Sequence, residues 1–533
     1  MRGGSMTTAI PAPVDYEPID TVDDDLDDFE WPDDALDESQ VGKLVADLWQ
    51  LQLTELAWLD RIYEYTKGLR GIPEVPEGAS DEVKELARLS VKNVLALVRD
   101  SFAQNLSVVG YRTVGATDNH PAWEIWQRNR MDARQAEVYR PALTYGAAYV
   151  TVLPGDDGPV LRTRSPRQLL AVYDDPVLDA WPQYAVETWV TQKDAKPHRL
   201  GQLYDDKYVY ELDFGALTKS EIEGGKTRPL RLRKVLSVTP HHAVFEGEPV
   251  CPVVRFVNAR DADDMIVGEI APLILLQQAI NSVNFDRLIV CRFGANPQRV
   301  ISGWTGSKDK VLKASALRVW TFEDPEVKAQ AFPPASVEPY NAVLDEMLQH
   351  VAMVAQISPS QVTGKMINVS AEALAAAEAN QQRKLAAKRE SFGESWEQAL
   401  RLAVAMRRAT RDDEDDLDDD ELADLDGNGI PDDVEAEVIW RDTEARSFGA
   451  VVDGVTKLAG QGVPIEYLLP LVPGMTQQQI TAIKQAIRGG NVKSLVDRLL
   501  QQPPPPPAEA PPLNEVRQTV DESPADSDDA GRS

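Results

Sequence analysis

AEALAAAEANQQRKLAAKRESFGESWEQALRLAVAMRRA, residues 371–409, reads as one helix of nearly forty residues. Ser370 can cap it, and Glu372 favours its positive end. Gly393 is the expected kink. A helix of that length exceeds what an ordinary globular domain needs. It acts as a strut or lies against a partner, so the rest of the chain is read around it.

Immediately upstream, residues 339–357 carry Leu344, Met347, Val351 and Val354 at helical spacing. APLILLQQAINSVNFDRLIV (271–290) does the same with Leu273, Leu276, Ile280, Val283, Arg287 and Val290, and Pro272 suits its first turn. Strand-like pieces (PQRVISGW, LRVWTF, VKAQAF) broken by Gly and Pro lie between the two. A helical pair therefore carries a small β-rich excursion. Further upstream the period shortens. AAYVTVLPG (147–155), QLLAVYDDP (168–176), QYAVETWVT (183–191), KYVYELD (207–213) and HHAVFEGEPVCPVVRFVN (241–258) are β-branched or aromatic runs separated by turn residues. Helical patterns precede them at 41–67, 81–105 and 121–143, and others follow at 443–472 and 476–501. The class is α+β, helix-rich with one β-rich domain.

The chain has 533 residues, which suggests about three or four structural units. A hydrophobic content of 43% rules out a wholly disordered chain. Acids outnumber bases 86 to 55, for a net charge of −31, and the pI is near 4.6. Residues 15–38 hold 13 acids and no base, 411–437 hold 15 acids and Arg411 alone, and 501–533 hold 7 acids and 2 bases. Together these stretches carry −32, which leaves +1 for everything else. A nearly neutral body thus bears three acidic appendages. Such blocks stay solvated, so residues 1–40 and the proline-rich tail 501–533 are expected to be disordered. A protein that neutralises nucleic acid needs clustered Lys and Arg, which this balance does not favour. Two cysteines exclude a disulfide scaffold and five histidines argue against a Cys/His zinc cluster. No apolar run reaches 18 residues. MRGGSMTTAIPAP lacks an apolar signal core. The cytoplasm is the expected compartment of synthesis.

One motif carries specific chemistry. DLDGNGIPDDVE (424–435) fits D-x-D/N-x-D/N-G-x5-E without a gap. Calcium needs six or more oxygens about a tight loop. Asp424, Asp426, Asn428, the Ile430 carbonyl, Asp432 and Glu435 would supply them, and Gly429 permits the turn. The IPDD segment also resembles the calcium loops of dockerin-like and thrombospondin-like repeats. An Asp-rich run matches part of this by chance, but not the glycine at position 6 or the closing Glu. A single loop without a paired second one argues for a structural ion. Other patterns are weaker. Gly224-Gly225-Lys226-Thr227 lacks the first glycine of a phosphate loop and reads as a hairpin turn. His241 and His242 would point to opposite faces of a strand. Cys251 and Cys291 sit in apolar surroundings where both are expected to pack. None of these asks to be an active site.

The order of pieces resembles the portal proteins of tailed bacteriophages, in particular the family found in long-tailed phages of Gram-positive hosts. The likeness runs from about 45 to 490. It rests on YEYTKG (63–68), SVKNVLALVRDSF (90–102), YGAAYVTVLPGDDG (145–158), SPRQLLAVYDD (165–175) and PVVRFVNARDADD (252–264). PPASVEPYNAVLDEMLQHVAMVAQISPSQVTG (333–364) and NVSAEALAAAEANQQRKLAAKRESFGESW (368–396) come next, in the family's order.

The resemblance implies a portal fold. A wing at 41–265, stem helices at 266–293 and 339–357, and a clip at 294–338 would lead to a tunnel loop at 358–370. That loop, with Gly364, Lys365 and Asn368, would face DNA. A spine helix at 371–410, an acidic linker at 411–442 holding the calcium-like loop, and a crown at 443–500 would complete it. It further implies a ring of about twelve copies at one capsid vertex, through which double-stranded DNA passes during packaging and ejection. The partners implied are the terminase packaging motor, head–tail adaptor proteins, and the major capsid and scaffold proteins, with no membrane and no enzymatic role. The place implied is the virion, after assembly in the host cytoplasm. Two other classes compete. A calcium-dependent acidic binding module would stay a monomer or dimer. A metal-dependent nuclease would use Asp424, Asp426 and Asp432, but no Lys or His is arranged as a partner base.

Overall fold

In the computed structural model the described residues are 31–113, 119–193, 196–218, 230–261, 263, 265–294, 299–302, 328–331, 335–364, 371–409, 436–441, 443, 448–469, 472, 480, 483–484 and 487. The chain forms two compact units that divide at Ala450/Val451. The described residues of 41–293, 339–357 and 371–409 all fall within the first unit.

The first unit is layered around two sheets. Helix α1 (Glu38–Thr66) opens with a capping box. The Gln40 amide donates to Asp37 Oδ1 at 2.8 Å and the Asp37 amide to Gln40 Oε1 at 2.9 Å. This corrects the expectation that all of 1–40 is disordered. Trp31, Ala35 and Leu36 pack on the core, Tyr210 Oη accepts the Leu36 amide, and Lys207 pairs with Asp34 at 2.8 Å. Three apolar side chains, one hydrogen bond and one ion pair together anchor this end of the arm.

The five-stranded antiparallel meander β4-β5-β6-β7-β8 comprises β4 (Leu169–Val172), β5 (Tyr184–Lys193), β6 (Lys196–Tyr204), β7 (Tyr208–Ala216) and β8 (Lys234–Pro240). Period-two alternation gives it two apolar faces. Leu170, Val186, Leu203, Tyr210 and Leu212 meet Val41, Val45, Leu48 and Trp49 of α1. Leu169, Ala185, Tyr204 and Val209 meet Tyr149, Leu153 and Val253 of a three-stranded sheet. That sheet runs β11-β2-β3, from β2 (Ala147–Leu153), β3 (Val160–Arg164) and β11 (Val253–Val257), with the short hairpin β9 (Val244–Phe245) and β10 (Glu248–Pro249) before β11.

The helical expectation over 81–105 divides into α2 (Asp81–Leu89) and α3 (Val94–Ala103). Asn93 caps α3 by accepting the Ala96 amide, and the intervening backbone is held by side-chain amides of a later helix. Likewise 121–143 divides into α4 (Trp123–Arg128) and α5 (Met131–Tyr145) at Arg130, which has φ +53°. Strand β1 (Val108–Thr113) lies between α3 and α4.

After β11, a 3-10 turn (Ala271–Leu273) leads into α6 (Ile274–Ile289), which ends in a π turn (Val290–Gly294). Strands β12 (Arg299–Ser302) and β13 (Lys328–Ala331) pair antiparallel, as the β excursion requires, and α7 (Glu338–Ala355) returns to pack on α6. The middle expected strand, LRVWTF, lies outside the described residues. A short helix α8 (Pro359–Thr363) precedes α9 (Ala371–Ala409), the 39-residue helix that the sequence predicts.

The helix is unbroken through Gly393, and the glycine has another use. Strand β14 (Ala436–Trp440) returns to pair antiparallel with β1 and brings Val438 and Trp440 beside Gly393. Part of the expected acidic linker 411–442 is thus a strand of the first unit. The main core joins α3, α5, α7, α9, β2, β11 and β14. At its centre Trp396 packs edge-on to Trp126 and Phe256, and its indole N–H donates to Tyr139 Oη at 2.9 Å.

The single helix expected over 443–472 is interrupted. Helix α10 (Phe448–Gly460) ends before Gly462, at φ +95°, and Pro464, after which α11 (Ile465–Leu468) begins. In the second unit Leu469, Ile480 and Ile483 form a small buried cluster. No helix among the described residues is long and apolar enough to cross a membrane.

Candidate functional site

Of the tunnel-loop and calcium-loop residues expected from the sequence, Gly364 is described. It ends α8 at φ +67° with open space about its Cα, a position that favours glycine. Lys365, Asn368 and the whole calcium-like loop Asp424, Asp426, Asn428, Ile430, Asp432 and Glu435 lie outside the described residues. So does Gly224-Gly225-Lys226-Thr227, although the flanking β7 and β8 are antiparallel neighbours.

The turn that leads to Gly364 is built at its own ends. Gln356 takes the left-handed conformation at φ +61° to close α7, and the Ile357 amide donates to Ala352 O at 3.0 Å. Ser358 and Pro359 then start α8. Helix α9 grips this turn from the side. Gln361 Nε2 donates to Gln381 Oε1 at 3.0 Å, and Gln381 Nε2 to Ser101 O at 3.1 Å.

One helical turn further on is a buried charge cluster. Glu269 lies just before α6, its amide donating to Leu143 O at 2.7 Å. One carboxylate oxygen accepts from Lys388 Nζ at 2.6 Å and Asn258 Nδ2 at 3.1 Å, and the other from Lys384 Nζ. Lys384 also donates to Ala355 O at 3.3 Å, at the end of α7, and Lys388 to Asn258 Oδ1 at 2.5 Å. Burial alone would raise the Glu269 carboxyl, but the two ammoniums hold it below its usual range. Burial also depresses Lys388, against the pull of Glu269. The Phe102 ring lies 5.1 Å from Lys384 Nζ and 5.6 Å from Lys388 Nζ, which offsets part of the excess positive charge.

The buried stripe of α6 departs from its apolar reading. Gln277, Asn281 and Asn284 are buried beside Ile274 and Ile280. Gln277 Oε1 accepts the Val94 amide at 3.1 Å, and Asn281 Oδ1 accepts the Lys92 amide at 3.0 Å. Asn281 Nδ2 donates to Gly71 O at 2.9 Å, and Asn284 Nδ2 to Ser90 O at 2.6 Å. This amide ladder fastens α6 to the backbone around Gly71 and residues 90–94. The helical spacing of 277, 281 and 284 is its visible signal, masked by the apolar residues interleaved with it.

Two buried histidines have partners within the fold. His198 Nε2 faces Asp213 Oδ1 at 2.6 Å, and Asp213 also accepts the Gly215 amide. His241 Nδ1 accepts the Ala243 amide at 3.1 Å, while Nε2 lies 3.2 Å from Asp205 O. Burial pushes the Cys251 thiol well above its usual range. Cys291, expected to pack, is exposed in the π turn after α6. Among the described residues, no group of three or more His, Cys, Asp or Glu could hold a metal ion.

The family model described as phage portal protein, SPP1 Gp6-like, matches residues 43–492. The chain belongs to this phage portal family. The portal proteins of Mycobacterium phages D29 and L5 are each 25% identical to it over 389 residues, covering 68% of this chain and 71% of theirs. Among solved structures, a chain from the neck of an empty GTA particle aligns with 73% of this portal chain and 92% of its own, at 12% identity and a TM-score of 0.35. One from the virion of a native gene transfer agent particle aligns with 78% and 100%, at 12% identity and a TM-score of 0.36. At those scores neither likeness says anything about function. The family match spans the elements from most of α1 to α11, including the buried cluster and the amide ladder.

Proposed function

We propose that this chain is the portal subunit of a tailed phage, closing as a ring of about twelve copies at one capsid vertex. Double-stranded DNA passes through the ring without sequence preference during packaging and ejection. The ring is also the docking platform for the terminase motor and the head–tail adaptors, and it meets the major capsid and scaffold proteins. It assembles in the host cytoplasm and ends in the virion. Its role is structural, with ATP hydrolysis left to the separate motor. Wing, stem, clip, tunnel loop, spine and crown keep the bounds that the resemblance implies. Support comes from the family match together with the outer surface of the stem. Leu275 and Met353 are 73% and 69% exposed on α6 and α7, and Phe293, Val343 and Val354 are exposed with them. A head-to-tail contact between neighbours covers such residues, and rotational closure makes a ring of it.

The test is particle mass by light scattering with negative-stain images of the same fraction. Twelve chains of 58.9 kDa make a ring of about 707 kDa with a central hole. A monomer under every salt and calcium condition overturns the reading in favour of the binding module.

We also propose a structural calcium ion at Asp424, Asp426, Asn428, Ile430, Asp432 and Glu435. The donor set is all oxygen and suits a hard cation. Glu435 directly precedes β14, so the ion would fix the approach to that strand. Isothermal titration should show binding that Asp424→Ala abolishes, with melting raised by calcium in the parent alone. Equal melting of both in calcium, with no titration heat, rejects the site.

A further inference from the structure

Helix α9 presents one continuous polar seam. Gln381, Lys384, Lys388, Ser391, Ser395 and Gln398 follow 3-4-3-4-3 spacing, so they line one face. Each reaches a different place in the first unit. Gln381 and Lys384 hold the turn after α7, through Gln361 and Ala355 O. Lys388 holds Asn258, and Ser391 and Ser395 donate to Val257 O at 2.7 Å and Arg255 O at 2.9 Å along β11. Gln398 Nε2 donates to Ala180 O at 2.9 Å. Glu269 sits mid-seam and bridges the lysine that holds the turn to the lysine that holds β11.

We propose that this seam is a conformational linkage, with the Lys384–Glu269–Lys388 cluster as its joint, that couples the turn 356–364 to the end of β11. The joint is stiff. Lys384 is the more open partner at 24%, whereas Glu269 and Lys388 have side chains only 8% and 4% exposed, so Lys388 cannot leave the carboxylate without its buried charge losing its counter-ion. Such a separation is strongly unfavourable. A displacement of the turn drags Lys384, Lys384 drags Glu269, and Glu269 carries Lys388 and Asn258 with it. Asn258 closes the circuit, because its Nδ2 also bonds Glu269 and Val267 O. Apolar packing alone has no such directional tie between the two ends. The linkage depends on these contacts within one chain and not on ring formation, so either can fail without the other.

Lys388→Met tests it. The substitution removes the surplus buried cation, leaves Glu269 balanced by Lys384, and touches no residue of the turn. Amide hydrogen exchange of the full chain is the measurement. The linkage predicts exchange at Ile357 and Gly364 faster by about tenfold, with Val186, Leu203 and Tyr210 of the five-stranded sheet unchanged. Unchanged exchange at Ile357 and Gly364 in the folded variant overturns it, as does a uniform rise that includes the sheet. If Lys388→Met does not fold, Asn258→Ala breaks the same connection from the β11 side and is judged by the same two outcomes.

Discussion

Burial holds the His241 imidazole down to about 4, against an ordinary value of 6.5. Both ring nitrogens face backbone groups, and His241 is fully buried. Between those two values the unfolded chain binds a proton that the folded chain refuses. This stabilising contribution is therefore complete above pH 6.5 and is lost as pH falls towards 4, by up to about 3 kcal/mol. Urea unfolding at pH 7 and pH 4.5 should show a smaller acid loss in His241→Asn than in the parent. A second residue acts by sterics. A Cβ on Gly268 would lie 2.5 Å from Thr144 O and 2.8 Å from Gly146 N, both backbone atoms that cannot step aside. Gly268→Ala should cost about 2–3 kcal/mol. Gly454→Ala, in α10 with nothing within 4 Å, should leave stability level or higher on the same thermal scan.

Among the elements, α9 was the most legible, because thirty-nine residues without proline leave few alternatives. Its glycine was legible only in part. Gly393 reads as a kink from within the helix, whereas its contact is with a strand more than forty residues later. A Cβ there would meet Val438 Cγ2 at an ordinary 3.4 Å. Gly393→Ala should therefore stabilise by about 0.5–1 kcal/mol through helix propensity. Gly393→Leu should push β14 outward and lower the melting temperature. If Ala destabilises as much as Leu, the packing account is wrong. Strands β4, β5 and β7 of the large meander are readable from alternation, but β6 and β8 are not named by it, and in β6 Pro197, His198 and Gly201 break the pattern. The breaks at Arg130 and at residues 90–93 were equally hidden. The first depends on one left-handed residue and the second on amides from α6, almost two hundred residues away. The buried Glu269 cluster was beyond reach for the same reason: nothing local marks a lone Glu before a helix as the partner of two lysines far along the chain.

On the scale of the whole molecule, the exposed apolar residues of α6 and α7 allow folding and the proposed ring assembly to be tested apart. Leu275 and Met353 contribute little to a single chain, so Leu275→Glu and Met353→Glu should shift its stability by no more than about 0.5 kcal/mol. Light scattering should nevertheless report a smaller particle than the parent forms. A full-sized particle from both variants would place the subunit contact elsewhere.

The pairing of β1 with β14 has a consequence for synthesis. Thr113 lies opposite Ala436, so during translation β1 emerges with its edge open and its partner still unmade. At bacterial elongation rates of about 5–20 residues per second, that edge waits roughly 15–65 s before closure. The nascent chain passes this interval with a strand able to pair with a neighbour on the same message. The first unit is complete only when its closing strand has left the ribosome, so chaperone demand should peak before residue 436 appears and fall sharply afterwards.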